Sequence, residues 1–379
     1  MKTKVSEKTS LFSEFFRQLL PLGLFSVIAV SIIEILTAIL KSRSMITVDA
    51  SGKEAISHSS IGMVNMCVPA TAFAILASFV PTIIVFSFLN KLNALDYYFS
   101  LPVKRSHLFL TAFGAVCAWV AVILLSGACI SLIMYSIYSK MFTIEASTRA
   151  PFLLDVFAGS MFIAAGTALA MSVTGTAFNN ILVSLLVLFT PRTLMYVIQN
   201  CVCDIVPIIN IGAGDSILDP KKNILFGLLF ESLLSNEWNM NAVLLNVSSG
   251  IYTLIVSIIY IIAAVLLFRV RKGENAGRIS SGSAANNVFA VWISFIITIL
   301  ACYFIFMTRY QEYGQEYYSG YISGSFVAAM FVYILYQLAM NRKIKPMLKP
   351  LPWFLVVLFL DAAVYGTILP RYLPRYPTL

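Results

Sequence analysis

Apolar residues run in long blocks along this chain, separated by short polar breaks. A helix of about 20 residues crosses roughly 30 Å of hydrocarbon. On that ruler the blocks predict about nine transmembrane helices, at 18–40, 64–89, 108–137, 152–174, 180–204, 246–268, 287–308, 321–340 and 353–369. The last is short and suits an end helix that packs at a tilt or inserts only in part. Ile224 to Leu234 is too short to span and contains Glu231, which predicts an interfacial or re-entrant helix. The expected fold is an all-α integral membrane protein. Met1 to Arg17 is polar and mildly basic. The apolar stretch after it exceeds a signal-peptide core of roughly 7–15 residues and lacks a convincing small-x-small cleavage site, so a retained first helix is expected.

The breaks also divide the chain. Six spans fill 1–268, a basic linker rich in Gly and Ser covers 269–287, and three further spans fill 288–379. Cytoplasmic segments are enriched in Lys and Arg. Placing the N-terminus inside puts Lys2, Lys4 and Lys8, then Lys104 and Arg105, then Arg269, Arg271 and Lys272, then Arg342, Lys343 and Lys345 on the same side. The linker is then cytoplasmic, the N-terminus lies inside and the C-terminus outside. A cell-membrane location follows from this reading.

Composition agrees with the pattern. Of 379 residues, 59% are hydrophobic and 11% charged, against about 25% charged in soluble domains. So much apolar surface exceeds what one core of this size can hide. The net charge of +9 sits in clusters between apolar blocks, which fits anionic headgroups rather than nucleic acid.

Candidate chemistry is sparse. No G-x-x-x-x-G-K-[ST] loop, H-E-x-x-H or G-x-S-x-G motif occurs, and His58 and His107 are the only histidines. The chain is therefore not expected to be an enzyme or to bind ATP, another cofactor or a metal itself. Cys67, Cys117, Cys129, Cys201, Cys203 and Cys302 read as apolar thiols, mostly within the blocks. Charges inside spans are costly and often functional. Glu34, Asp155, Arg192 and Asp361 are those candidates; Glu34, Asp155 and Arg192 are expected near interfaces, where they would snorkel or cap. Pro191 should break or kink the fifth helix. Gly320 and Gly324, and Ala158, Gly159, Ala165 and Gly166, suit close helix packing, within this chain or against another subunit. Asn246-Val247-Ser248 matches a glycosylation acceptor but falls at a predicted helix edge.

The most informative polar segment is the loop between the second and third spans, Leu95-Asp96-Tyr97-Tyr98-Phe99-Ser100-Leu101-Pro102-Val103-Lys104-Arg105-Ser106-His107-Leu108. It mixes aromatics, a Ser-Leu-Pro turn and two bases. Its apolar side chains suit a protein partner, or a loop lying on the membrane face with Tyr97 and Tyr98 as belt aromatics.

This loop follows an apolar hairpin and resembles the D-x-x-x-S-L-P-[VIL]-x-R loop of the membrane subunit of type-2 ABC transporters, the bacterial ABC exporter permeases. Arg269-Val270-Arg271-Lys272-Gly273-Glu274-Asn275-Ala276-Gly277 is similar to the R-x-R-x-x-E-x-A-G run that closes the six-helix unit of large permeases in that family. Ile224 to Leu234 resembles its re-entrant element. The resemblance covers about residues 15–280. It implies that Asp96, Tyr97, Tyr98, Ser100, Leu101, Pro102, Lys104 and Arg105 lie at or near a contact with a separate ATPase subunit, which would bind the ATP. It also implies a second permease subunit. Related large permeases continue past a ninth helix into an exported segment, whereas this sequence has only Pro370-Arg371-Tyr372-Leu373-Pro374 and five further residues there, and the resemblance gives helices seven to nine no role. The alternatives are an ion-coupled carrier using Asp361, Glu34 or Asp155, and a non-transport membrane sensor or assembly protein.

Overall fold

The computed structural model describes residues 11–48, 54–56, 59–61, 75–144, 149–198, 247–271, 287–296, 298, 318–341 and 351–372. These residues are helical apart from four three-residue strands and short connections. A first helix, α1 (11–18), runs into α2 (Leu20–Ser44) through Leu19, whose N–H bonds Phe15 O while its own carbonyl accepts from Gly23 N. Then come α3 (75–85), ending in a 3-10 turn at Phe86–Asn90, α4 (Leu92–Ser100), α5 (Arg105–Ile137), α6 (Arg149–Val173), α7 (Ala177–Ile198) and α8 (Val247–Val270). The remaining helices are α9 (287–296), α10 (Tyr318–Asn341) and α11 (Phe354–Tyr372). Strands β1 (Ile46–Val48) and β2 (Glu54–Ile56) pair antiparallel, and β3 (Ser59–Ile61) pairs parallel with β4 (Phe142–Ile144).

Among the described residues, α2, α5, α6 and α8 are long and apolar enough to cross a membrane. The pair Ile75–Asn90 and Leu92–Ser100, bent by 89°, makes a fifth if counted as one span. Shorter apolar helices lie at Ala177–Thr190, Asn287–Ile296, Ser323–Leu338 and Phe354–Ala363. Large apolar side chains exposed along whole faces identify the medium. On α2, Leu24, Phe25, Ile28, Ile32, Leu36 and Leu40 face outward; on α8, Ile251, Ile255, Ile258, Ile259, Ile262 and Leu266 do so. Contiguous apolar faces of this size are not stable in water, and this is a membrane-embedded protein. Hydroxyls on these helices satisfy themselves locally: Ser26 donates to Leu22 O, Ser31 to Val27 O, Thr82 to Ser78 O and Ser257 to Thr253 O.

The contacts divide the chain into two compact units, Met1–Val173 with Asp219–Gly277, and Thr174–Leu218 with Arg278–Leu379. The fifth expected span, α7, thus groups with the C-terminal helices. In the first unit α6 is the inner helix, buried at almost every position from Asp155 to Ser172. It packs along α8, and Ala158, Gly159, Ala165 and Gly166 are buried in it, as their size suggested. Helices α2 and α5 meet through glycines. Gly23 leaves the space that the Trp119 ring fills, and a Cβ at Gly127 would stand 2.9 Å from Val30 Cγ1. In the second unit, Val291, Tyr333, Tyr336, Phe354 and Val357 form the core, and Trp292 Nε1 donates to Thr190 Oγ1 at 2.7 Å.

Two local expectations are corrected. The stretch read as a loop at 95–108 is helix through Ser100 and again from Arg105. Leu95, Tyr98 and Phe99 share a face at i, i+3 and i+4, so the segment is a short amphipathic helix. Pro191 does not break α7, which continues to Ile198; a proline removes one backbone bond, and neighbouring helices and hydroxyls offset that in a membrane bundle.

Gly23→Val is expected to destabilise the protein by about 1–3 kcal/mol, because the new side chain must displace the Trp119 indole. Gly114→Ala, whose Cβ would sit at an ordinary 3.9 Å from Phe12, is expected to be neutral. Thermal unfolding of the two variants in lipid nanodiscs tests the difference.

Candidate functional site

The expected partner-contact residues come together on α4 and the turn after it, and each boundary there has a physical cause. Lys91 is extended (φ −117°, ψ 118°), which ends the 3-10 turn and turns the chain by 89° into α4. Pro102 disfavours the α conformation at the residue before it, and Leu101 accordingly sits at φ −65°, ψ 141° and ends α4. Val103 N–H then reaches back over Pro102 to Leu101 O at 2.7 Å. Lys104 is extended, and its carbonyl accepts from His107 and Leu108 to start α5. The Ser-Leu-Pro sequence is therefore the hinge between two helices.

Helix α4 is two-faced. Leu95 is buried, Tyr98, Phe99 and Leu101 are half-buried, and Asp96, Tyr97, Ser100, Pro102, Lys104 and Arg105 are exposed. Tyr97 is 58% exposed. Its buried face is held on two sides. On one side Tyr98 stacks on Phe15 of α1, lies 4.6 Å from Phe88, and donates to Glu14 Oε1 at 3.3 Å. Helix α1 is itself fixed by Trp119, whose Nε1 donates to Phe16 O at 3.0 Å while the two rings stack at 4.7 Å.

On the other side stand two arginines. Arg105 lies 4.2 Å over the Phe99 ring and donates through Nη1 to Arg271 O at 2.9 Å and Arg269 O at 3.3 Å. Arg271 is buried and donates through Nη2 to Leu89 O at 2.9 Å and through Nη1 to Met171 O. Phe99 also meets Phe268 edge-on at 5.8 Å. The carbonyl ends of the 3-10 turn, α6 and α8 thus converge on two guanidinium groups. Those ends carry unsatisfied acceptors and the negative pole of the helix dipole. Burial lowers the Arg271 pKa to about 10, so the group stays charged at neutral pH.

Of the intramembrane candidates, Glu34 is buried between α2 and α5, where Ser131 Oγ donates to its Oε2 at 2.7 Å. Asp155 is buried between α6 and α8, against Gly250. Neither snorkels, which corrects that expectation, because each is packed on a second helix several residues inside the helix end. Asp361 is buried in the second unit with Thr298 as its polar neighbour. The Arg192 side chain lies outside the described residues, as do Gly320's surroundings, Ile224–Leu234, the linker from Lys272 to Asn286, Cys67, Cys201, Cys203, Asn246 and Cys302. Gly324 is exposed, and a methyl there would meet nothing within 4 Å. Cys117 is half-buried beside Met161. Among the described residues no three His, Cys, Asp or Glu side chains are grouped to hold a metal.

Sequence reading passed over Glu14, Phe15, Phe16 and Phe268, and gave Arg271 no structural role. The available signal was a basic pair at the end of a 24-residue apolar helix, where arginines cap last-turn carbonyls. No family model, curated protein or solved structure matches the chain.

Arg271→Leu is expected to cost about 2–5 kcal/mol, since two buried carbonyls lose their donors. Arg271→Lys should recover only part of this, because an ammonium cannot bridge both carbonyls with the planar fork. Arg105→Ala, at an exposed position, should cost about 0.5–1.5 kcal/mol. Denaturation monitored by tryptophan fluorescence ranks the three.

Proposed function

We propose that the chain is the permease subunit of an ATP-binding cassette exporter, driven by ATP hydrolysis on a separate ATPase subunit. The observation that carries this reading is α4: a short helix set at 89° to α3, anchored on both sides and exposing Asp96, Tyr97 and Ser100, with Pro102 and Lys104 exposed in the turn after it. A subunit moved by a partner needs a rigid lever with a free face, and α4 has both. The Ser-Leu-Pro and R-x-R motifs that carry the family resemblance are the hinge after α4 and the arginine that anchors its base. The sequence offers no phosphate-binding loop, in keeping with ATP bound elsewhere.

In this reading the chain lies in the cell membrane with about nine spans, the N-terminus and α4 on the cytoplasmic side and the C-terminus outside. Six spans form the transport unit, three follow the linker, and a second permease subunit completes the pathway. Nucleotide-driven closure of the ATPase pushes α4, and the arginine clamp passes that displacement to α5, α6 and α8 together. A second reading, an ion-coupled carrier, is favoured by one observation: Asp155 and Asp361 are buried acids inside apolar helices.

Replacing Leu101 and Pro102 together with aspartate is expected to abolish co-purification with a soluble ATPase while leaving membrane insertion intact. Transport that persists without any ATPase, and stops on collapse of the proton gradient or in Asp361→Asn, would overturn the exporter reading.

A further inference from the structure

Asp155 stands seven residues into α6, with no exposed surface, and neither carboxyl oxygen has a hydrogen-bond partner among the described residues. Its side chain lies against Gly250 of α8 so closely that any Cβ there would collide with Oδ1. An ionised carboxylate in such a place must be paired or hydrogen-bonded, and otherwise takes up a proton.

Among the described residues, the neighbouring elements hold no cation for it. Between Gly250 and Phe268, α8 has only Tyr252 and Tyr260 as ionisable groups; between Leu108 and Ile137, α5 has only Cys117, Cys129 and Tyr135. The 3-10 turn Phe86–Asn90 has none. On α6 itself Arg149 is exposed at the helix start. Arg271 binds Met171 O at the other end, sixteen positions and roughly 24 Å along the axis.

We propose that Asp155 is a proton-binding site inside the membrane: it keeps its proton at neutral pH, and the uncharged acid is the form that closes the α6–α8 seam. The proposal rests on the surroundings of Asp155 and is independent of whether the chain is an exporter. An acid held this way reacts with hydrophobic carbodiimides. The carboxyl oxygen bonds the central carbon of the reagent as the acid proton passes to one of its nitrogens. The resulting O-acylisourea rearranges to an N-acylurea, with no other reactant consumed.

The test uses the full-length protein in lipid nanodiscs at pH 7. The infrared difference between wild type and Asp155→Asn is expected to show loss of a protonated carboxyl C=O stretch, with the carboxylate bands unchanged. Loss of carboxylate bands instead would overturn the proposal. Where Asp155→Asn fails to fold, wild type alone decides. Dicyclohexylcarbodiimide should modify the peptide containing Asp155, and a water-soluble carbodiimide with an added amine should not. Absence of the first adduct, or formation of the second, overturns it.

Discussion

A helix that ends against apolar surroundings leaves up to four carbonyls without partners, and water is not there to accept the debt. In the first unit three elements end at one place: the 3-10 turn at Leu89–Asn90, α6 at Met171–Val173 and α8 at Arg269–Arg271. Arg271 bonds the first two and Arg105 the third. The position of α4 follows from this, because Arg105 also covers Phe99, and Phe99 packs on Phe268. A guanidinium suits the task because its donors radiate in one plane and it sheds water more readily than an ammonium. Arginine at 271 can therefore be buried, stay charged and join helices that no backbone bond connects.

The opposite flank of α4 is fixed by different means. Phe15, Phe88 and Tyr98 form an aromatic group, and Phe16 on Trp119 fixes α1 to α5. Such ring pairs contribute about 0.5–1.5 kcal/mol each beyond their buried area, and the Tyr98–Glu14 bond adds direction. Electrostatics hold one edge of the short helix and ring packing the other. What remains is its exposed face, which belongs to neither contact. The same nine residues are thus packed on the bundle along one face and open away from it along the other.

Much of this architecture was legible in the sequence, at the scale where hydropathy acts. The blocks 108–137, 152–174 and 246–268 coincide within a few residues with α5, α6 and α8. Small residues on α6 announced its close packing. Helix α4 was hidden because nine residues give barely two and a half turns of amphipathic pattern, and Leu101-Pro102 beside them is a turn signal. The arginine clamp was less legible still. Its bonds join positions 100 to 182 residues apart, and nothing local in R-x-R says which carbonyls it will meet. For Asp155 the sequence held half the answer, since the absence of cations within the apolar runs of α5 and α8 can be read directly. That α8 is the helix it faces could not be, and Gly250 gained meaning only from that pairing.

The two ends of α6 show how one helix tolerates opposite kinds of charge. At its C-terminal end a permanent cation is buried, and the carbonyls around Arg271 supply the negative potential that keeps it there. Near its N-terminal end an acid is buried with no donor among the described residues, so its charge can be removed only by a proton. The first arrangement is fixed, because arginine does not titrate in the physiological range. The second is conditional, because a carboxyl can lose its proton whenever water reaches it. Motion that parts α6 from α8 would therefore be opposed at one end by bonds that do not depend on pH. At the other end the apolar packing on α8 opposes it too, and a neutral Asp155 adds to that packing. Helix α6 thus meets a permanent charge at its C-terminal end and an acid packed on α8 near its N-terminal end.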